Sequence, residues 1–233
     1  EVLIDELKRA IQGVDGQQTF QIHEVLRRMM SHRRAYGYVH RGVWEYTRTL
    51  DEYYEAHKMM LGSAPRIALD DWEVRTNLMA RRTSPPSPAR LLPGSQVENS
   101  LVSGNCVIEG TVKGSVLSPG VRVGKGAVVV DCVLHHDVVV EEGARLTGVI
   151  SDKKAVFGKG CEVGAGALVA SQEMPGSLTC GATLVGYEAR IPAGLRIGRN
   201  CIIHAEIIES DLTGEVPSGE SRWPASARKA VAP

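Results

Sequence analysis

An excess of charge of either sign is the first thing this chain of 233 residues lacks. Twenty-seven lysines and arginines balance twenty-seven aspartates and glutamates. No general attraction to nucleic acid or to an anionic membrane follows from such a balance, and neither is expected as a partner. Aromatic residues are also scarce, at 5%. No apolar run approaches the roughly eighteen residues of a membrane-spanning helix, and no signal peptide opens the sequence. The five cysteines, Cys106, Cys132, Cys161, Cys180 and Cys201, form no CxxC pair and leave an odd count. Buried reduced thiols in a soluble cytoplasmic protein are therefore the expectation. The chain starts on Glu1, with Leu3, Ile4, Leu7 and Ile11 already spaced as an amphipathic helix, which suggests a beginning inside a longer protein.

Glycine, by contrast, is plentiful at 25 residues, and from about Val97 to Ser210 the chain repeats every six. Val185, Ile191, Ile197 and Ile203 keep that step, as do Leu117, Val123 and Val129, then Val140 and Leu146, then Phe157, Val163 and Val169. Between these runs the interval is eleven, two steps with one residue dropped. Neither the helical period of 3.6 nor strand alternation gives a step of six. A β-helix does, with one aliphatic side chain pointing inward per repeat and small residues at the corners. The predicted fold is mainly β: a left-handed parallel β-helix of hexapeptide repeats over residues 97–213, about eighteen residues to a coil and roughly six coils, with Val185 to Ile203 as one inward stack.

Ahead of the repeats, residues 1–80 are a partial α/β segment. Ile22, Val25, Leu26, Met29 and Met30 mark a second helix. Tyr36, Tyr38 and His40 alternate as in a short strand. Thr49 heads a third helix, with Glu52 completing a capping box, Gly62 at the far end, and Leu50, Tyr53, Tyr54, His57 and Leu61 on the inner face. Residues 81–96, rich in proline, are predicted to be a linker, and residues 214–233 a disordered tail. The early arginines, Arg27, Arg28, Arg33, Arg34, Arg41 and Arg48, suit a solvated helix face or an anion-binding patch.

Four ordered motifs carry a resemblance to one family. The segment from Asn99 to Val121, with Ser-Gly-Asn-Cys at 103–106, resembles the first β-helix coils of ADP-glucose pyrophosphorylase, glucose-1-phosphate adenylyltransferase. Val149-Ile-Ser-Asp-Lys153 is similar to that family's D-K turn. Trp72-Glu-Val-Arg-Thr76 with Pro85-Pro86 resembles its connector, and Gly42-Val-Trp44 with Thr49 to Ala56 its Y-W-x-D-x-G-T segment. The resemblance implies an enzyme that joins ATP to glucose 1-phosphate with Mg²⁺ and assembles with like nucleotidyltransferase subunits, for glycogen and α-glucan synthesis. It also marks departures. The glycine-rich phosphate loop is missing, Tyr46 stands where the family has a metal-binding aspartate, and Arg48 replaces a family glycine. The D-F-G-x-D run survives only as Thr19 to His23. A phenol is a poor Mg²⁺ ligand. No catalytic residue and no cofactor of its own are expected in this chain.

Lys153 matches the family lysine that helps bind a phosphorylated effector in some members. Lys154 and Arg145 are the other candidate effector contacts, since cationic side chains suit phosphate. His135 and His136, adjacent and so on opposite sides of a strand, are weak candidates for a metal or a general base, His204 is expected to face solvent or a partner, and the Glu141-Glu142 corner reads as solvated. The best reading is an oligomerisation and regulatory part of an adenylyltransferase-like protein, inactive alone. A hexapeptide-repeat acyltransferase or a structural scaffold are the alternatives.

Overall fold

A computed structural model describes residues 2–12, 22–69, 71 and 87–228. The Trp72–Thr76 and Pro85–Pro86 motifs, Glu1, residues 19–21 of the degenerate D-F-G run and the last five residues lie outside these. Two compact units divide the chain, 1–42 and 43–233. In the first, α1 (Val2–Gln12) and α2 (Ile22–His32) form as their apolar spacing predicts. Their shared interior holds Val25 and the Glu6 carboxylate, which accepts a 2.9 Å hydrogen bond from Arg9. The strand expected at Tyr36, Tyr38 and His40 does not form: residues 34–41 have no regular structure. Both tyrosines are almost fully exposed, and a lone alternating run has no neighbour to complete a ladder.

The second unit is a three-sided parallel β-helix. Its first face stacks Arg90–Leu91, Val107–Ile108, Arg122–Val123, Val139–Val140, Val156–Phe157 and Arg190–Ile191. The second stacks Gln96–Glu98, Thr111–Lys113, Val128–Val130, Arg145–Thr147, Glu162–Val163 and Arg196–Ile197. The third begins at Leu101–Val102 and runs through Val116–Leu117, Val133–Leu134, Val149–Ser151, Thr183–Val185 and Ile202–Ile203 to Ser221–Arg222. All pairs are parallel, and the inward residues of the inner coils enter one dry core that holds Phe157, Ile108, Leu134, Leu146 and Ile197, while Leu91 and Val97 in the first coil stay exposed. Val185, Ile191, Ile197 and Ile203 all point into it, but they are not one stack. A step of six carries the chain to the next face, so Val185 lies in register with Ile203 while Ile191 and Ile197 belong to the other two columns.

Most coils are seventeen residues long, as in Val123 to Val140 to Phe157. The dropped residue falls at one edge, between the second and third faces, where Gly114, Asp131 and Gly148 turn the chain at positive φ. Only glycine takes that conformation freely, with asparagine and aspartate next. One correction concerns Val169, which is half exposed and outside the core. After Val163 the chain leaves the coil at Gly164 (φ +85), where a Cβ would meet the Thr147 carbonyl oxygen, and re-enters at Thr183. Val185, not Val169, takes the place above Ser151.

The coil also reaches beyond 97–213 at both ends. Arg90–Leu91 pairs with Val107–Ile108 inside the expected linker, and Pro93-Gly94 forms a corner, with Gly94 at φ +88 and the Ser95 N–H on the Leu92 carbonyl. Proline followed by glycine is turn chemistry as well as linker composition. In the expected tail, buried Val216 bridges to Ile197, and Ser221–Arg222 adds a strand before the short α4 (Ala225–Arg228). Outward positions of a coil tolerate polar residues, so polarity there does not mean disorder.

Candidate functional site

The edge between the third and first faces gathers the polar chemistry. Non-glycine residues Asn105, Asp137, Lys154, Glu188 and Glu206 all turn there at positive φ. That costs of order 1 kcal/mol each, offset by a ladder in which each N–H reaches the coil before it. Lys154 N–H donates to the His136 carbonyl at 2.9 Å and Glu188 N–H to that of Lys153 at 3.0 Å.

α3 (Leu50–Lys58) lies against the third face beside this edge. Thr49 and Glu52 form the capping box the sequence announces, although α3 stops at Lys58 and Gly62 lies beyond its end. Tyr54 is buried, and its hydroxyl donates to the Asp131 carbonyl at 2.6 Å. Tyr53 holds the edge itself: its hydroxyl and His135 Nε2 are 2.9 Å apart. Burial and then the Asp152 charge push the Tyr53 phenol up. Burial pulls the His135 imidazole below its ordinary value, although Asp152 opposes this. His135 is thus neutral at neutral pH and serves as a packing and hydrogen-bonding partner. The neighbouring His136 keeps a buried Nδ1 without a partner.

Lys153 and Lys154 occupy the corner one coil further on. Lys153 is exposed, with its N–H on the Asp152 carboxylate at 2.7 Å. Lys154 is already engaged: its ammonium lies 2.7 Å from Glu188 Oε1 and 3.1 Å from the Tyr187 hydroxyl. The hydrogen bonds that Lys154 donates to Glu188 and Tyr187 raise its pKa, and Lys154 in turn lowers that of Glu188. Arg145 belongs to the same coil but points outward from the second face, the side of the prism opposite this corner. The three expected contacts therefore do not form one cluster. Lys153 and Lys154 share a corner, and Arg145 stands apart. His204 stacks on Trp223 and meets Glu173 at 3.1 Å, both within this chain.

Sequence reasoning missed what anchors α3. Asp51 accepts hydrogen bonds from the Thr179 N–H and hydroxyl (2.9 and 2.6 Å) and from the Cys180 N–H (3.1 Å). Burial works against the Asp51 carboxylate, but those donors hold its pKa below the usual range. Asn200, fully buried, ties the 164–182 excursion to the coil through Val169 and Gly181. The signal was present in the outward position of the third face. Val133, Ile150, Leu184 and Ile202 are aliphatic there, whereas Arg122, Arg145 and Arg196 are charged on the other faces.

A Mg²⁺ site is not what surrounds Tyr46. Its ring lies between Trp44, at 5.5 Å, and the Arg48 guanidinium, at 5.1 Å. The adjacent carboxylate, Glu45, pairs with Arg66 at 3.1 Å. A stacked phenol and one ion-paired carboxylate do not fit a hard dication that wants several oxygens. Nor are the thiols activated: burial pushes Cys132 and Cys161 up to about 12, and burial with the neighbouring Asp51 pushes the exposed Cys180 up to about 11.

Fold and register define a hexapeptide-repeat β-helix, and residues 88–175 match the family model described as GlmU-like, C-terminal hexapeptide. The chain belongs to the glucose-1-phosphate adenylyltransferase family. It is 30% identical to the Acetivibrio thermocellus glucose-1-phosphate adenylyltransferase over 91% of this chain and 49% of that one. To the Thermomicrobium roseum protein of the same name it is 38% identical over 77% of this chain and 42% of the other. The chain thus spans about half the length of these relatives. A solved structure, the acetyltransferase domain of PglB from Neisseria gonorrhoeae, aligns at 18% identity and a TM-score of 0.24 over 58% of this chain and 54% of that one. A likeness that small bears on nothing further. Among the described residues no helix is long and apolar enough to cross a membrane.

Proposed function

We propose that this chain is the oligomerisation and regulatory part of a glucose-1-phosphate adenylyltransferase-like protein, without adenylyl transfer of its own. The surroundings of Tyr46 support this most. A phenol stacked between Trp44 and Arg48, beside an ion-paired Glu45, replaces the carboxylate that family chemistry assigns to the metal. Neutralising charge on reacting phosphates requires that metal. The whole protein would form ADP-glucose from ATP and glucose 1-phosphate, in a homo- or hetero-oligomer of nucleotidyltransferase subunits. Free thiols, buried at Cys106, Cys132, Cys161 and Cys201 and exposed at Cys180, suit a cytoplasmic setting.

Lys153 is the contact for a phosphorylated effector, with Lys154 beside it. Its corner is a rigid part of the ladder, so its ammonium is presented without ordering a loop. Arg145, on the other side of the prism, would take part only through a neighbouring subunit. Calorimetry with fructose 1,6-bisphosphate, 3-phosphoglycerate, AMP and phosphate tests the assignment on the parent and on Lys153→Ala. The expected loss is about 1–3 kcal/mol of binding for one charge-assisted contact. Equal affinities in the two proteins would overturn it.

A further inference from the structure

The charge balance of the whole chain does not hold within its first compact unit. From Ile22 to Gly42 there are five arginines, Arg27, Arg28, Arg33, Arg34 and Arg41, against one carboxylate, Glu24. That unit also leaves its apolar side bare. Among the described side chains of α1 and α2, only Val25 and Glu6 are buried. Glu6 lies 2.9 Å from Arg9 and 3.5 Å from His32 Nε2, which ties α1 to the end of α2. Leu3, Ile4 and Ile11 of α1 stay exposed, as do Ile22, Leu26 and Met30 of α2. A step of four puts the last three in one stripe along their helix. Directly after α2, Arg33 and Arg34 are followed by Tyr36, Tyr38 and Val39, all exposed.

Helices of eleven residues are marginal alone, so such a face calls for cover. A second copy would bring α2 against α2, and arginine against arginine. The apolar interior of another protein would take Ile22, Leu26 and Met30 but leave the guanidiniums unanswered. An acidic protein would have to match them with carboxylates at fixed places, yet residues 34–41 have no regular structure to hold such a register. An anionic lipid surface takes both the stripe and the charge and needs no register. A helix about 16 Å long cannot span the roughly 30 Å of hydrocarbon. It can lie in the boundary, with one stripe sunk among the acyl chains. Arg27 beside the stripe, and Arg33 and Arg34 at its end, can reach back to lipid phosphates along their aliphatic stems. Tyr36 and Tyr38 offer the apolar ring and polar tip that suit the headgroup level.

We infer that α2 and the segment that follows it to Val39 form a peripheral docking surface for an anionic bilayer. Ile22, Leu26 and Met30 insert, and Arg27, Arg33 and Arg34 meet the lipid phosphates. The surface does not depend on the regulatory reading above. Co-sedimentation of the whole chain with phosphatidylcholine vesicles, with and without phosphatidylglycerol, tests it. The chain should pellet with the anionic vesicles, bind the neutral ones about tenfold more weakly, and come off as salt rises. Leu26→Asp should lose about tenfold in affinity, and so should the double variant Arg33→Glu with Arg34→Glu. Ile208→Asp, at an exposed apolar position in the second unit, should lose nothing. Leu26 and both arginines are exposed, so the variants keep the fold, which unchanged melting would show. Failure of the parent to pellet with anionic vesicles, equal binding to neutral ones, or Leu26→Asp pelleting like the parent would overturn the inference. A dimer of the parent in solution that Leu26→Asp splits would also overturn it, by giving the stripe to a second copy.

Discussion

His135 shows how much one hydrogen bond decides at this edge. Its imidazole pairs with the Tyr53 hydroxyl, and burial holds its pKa below the ordinary 6.5. Tyr53, His57, His136, Asp152 and Lys153 face it, and only Asp152 pulls toward the charged form. The unfolded chain therefore takes up a proton first as pH falls below about 6.5, and the folded chain resists until its own lower pKa is passed. Stability is greatest above pH 6.5 and declines beneath it. Thermal melts between pH 7.5 and 5.5 should fall for the parent and flatten for His135→Gln. Parallel slopes would show that His135 does not carry the effect. None of this was legible in the sequence, which placed Tyr53 on the inner face of a helix and His135 at a corner but had no means of joining residues 82 apart. Tyr46 was legible as a departure from a motif. Its stacking between Trp44 and Arg48 was not, because that depends on a segment without regular structure.

Elements with a strict period read well, and those defined by departures from it read poorly. The inward residues of the coil follow from the step of six because a dry core favours apolar side chains. The excursion at 164–182 was invisible because Val169 happens to continue the step, while the residue that turns the chain away is a glycine among many. What holds the excursion is α3. Asp51 takes up the Thr179 and Cys180 donors, and Leu178 is buried beside Tyr54. Removing those bonds with Asp51→Ala should cost about 1–3 kcal/mol locally. Hydrogen exchange reads it: amides at Thr179 and Cys180 should exchange at least tenfold faster, with Leu146 and Val163 in the core unchanged. Equal protection at Cys180 in parent and variant would mean that apolar contact alone docks the loop.

At the scale of the coil, a three-sided prism with α3 packed against its third face presents charged side chains on its outside. The coil's ends were misjudged from the sequence for a single reason: Pro93-Gly94 and the polar run after Gly214 resemble linker and tail in composition, yet main-chain bonds to neighbouring coils fold both. The central claim is that this chain supports recognition and assembly but not adenylyl transfer. Incubation of the purified chain with ATP, glucose 1-phosphate and Mg²⁺, followed by a pyrophosphate assay, tests it most directly. Release at the level of a protein-free control is the predicted result, and turnover that tracks the chain through purification would contradict it.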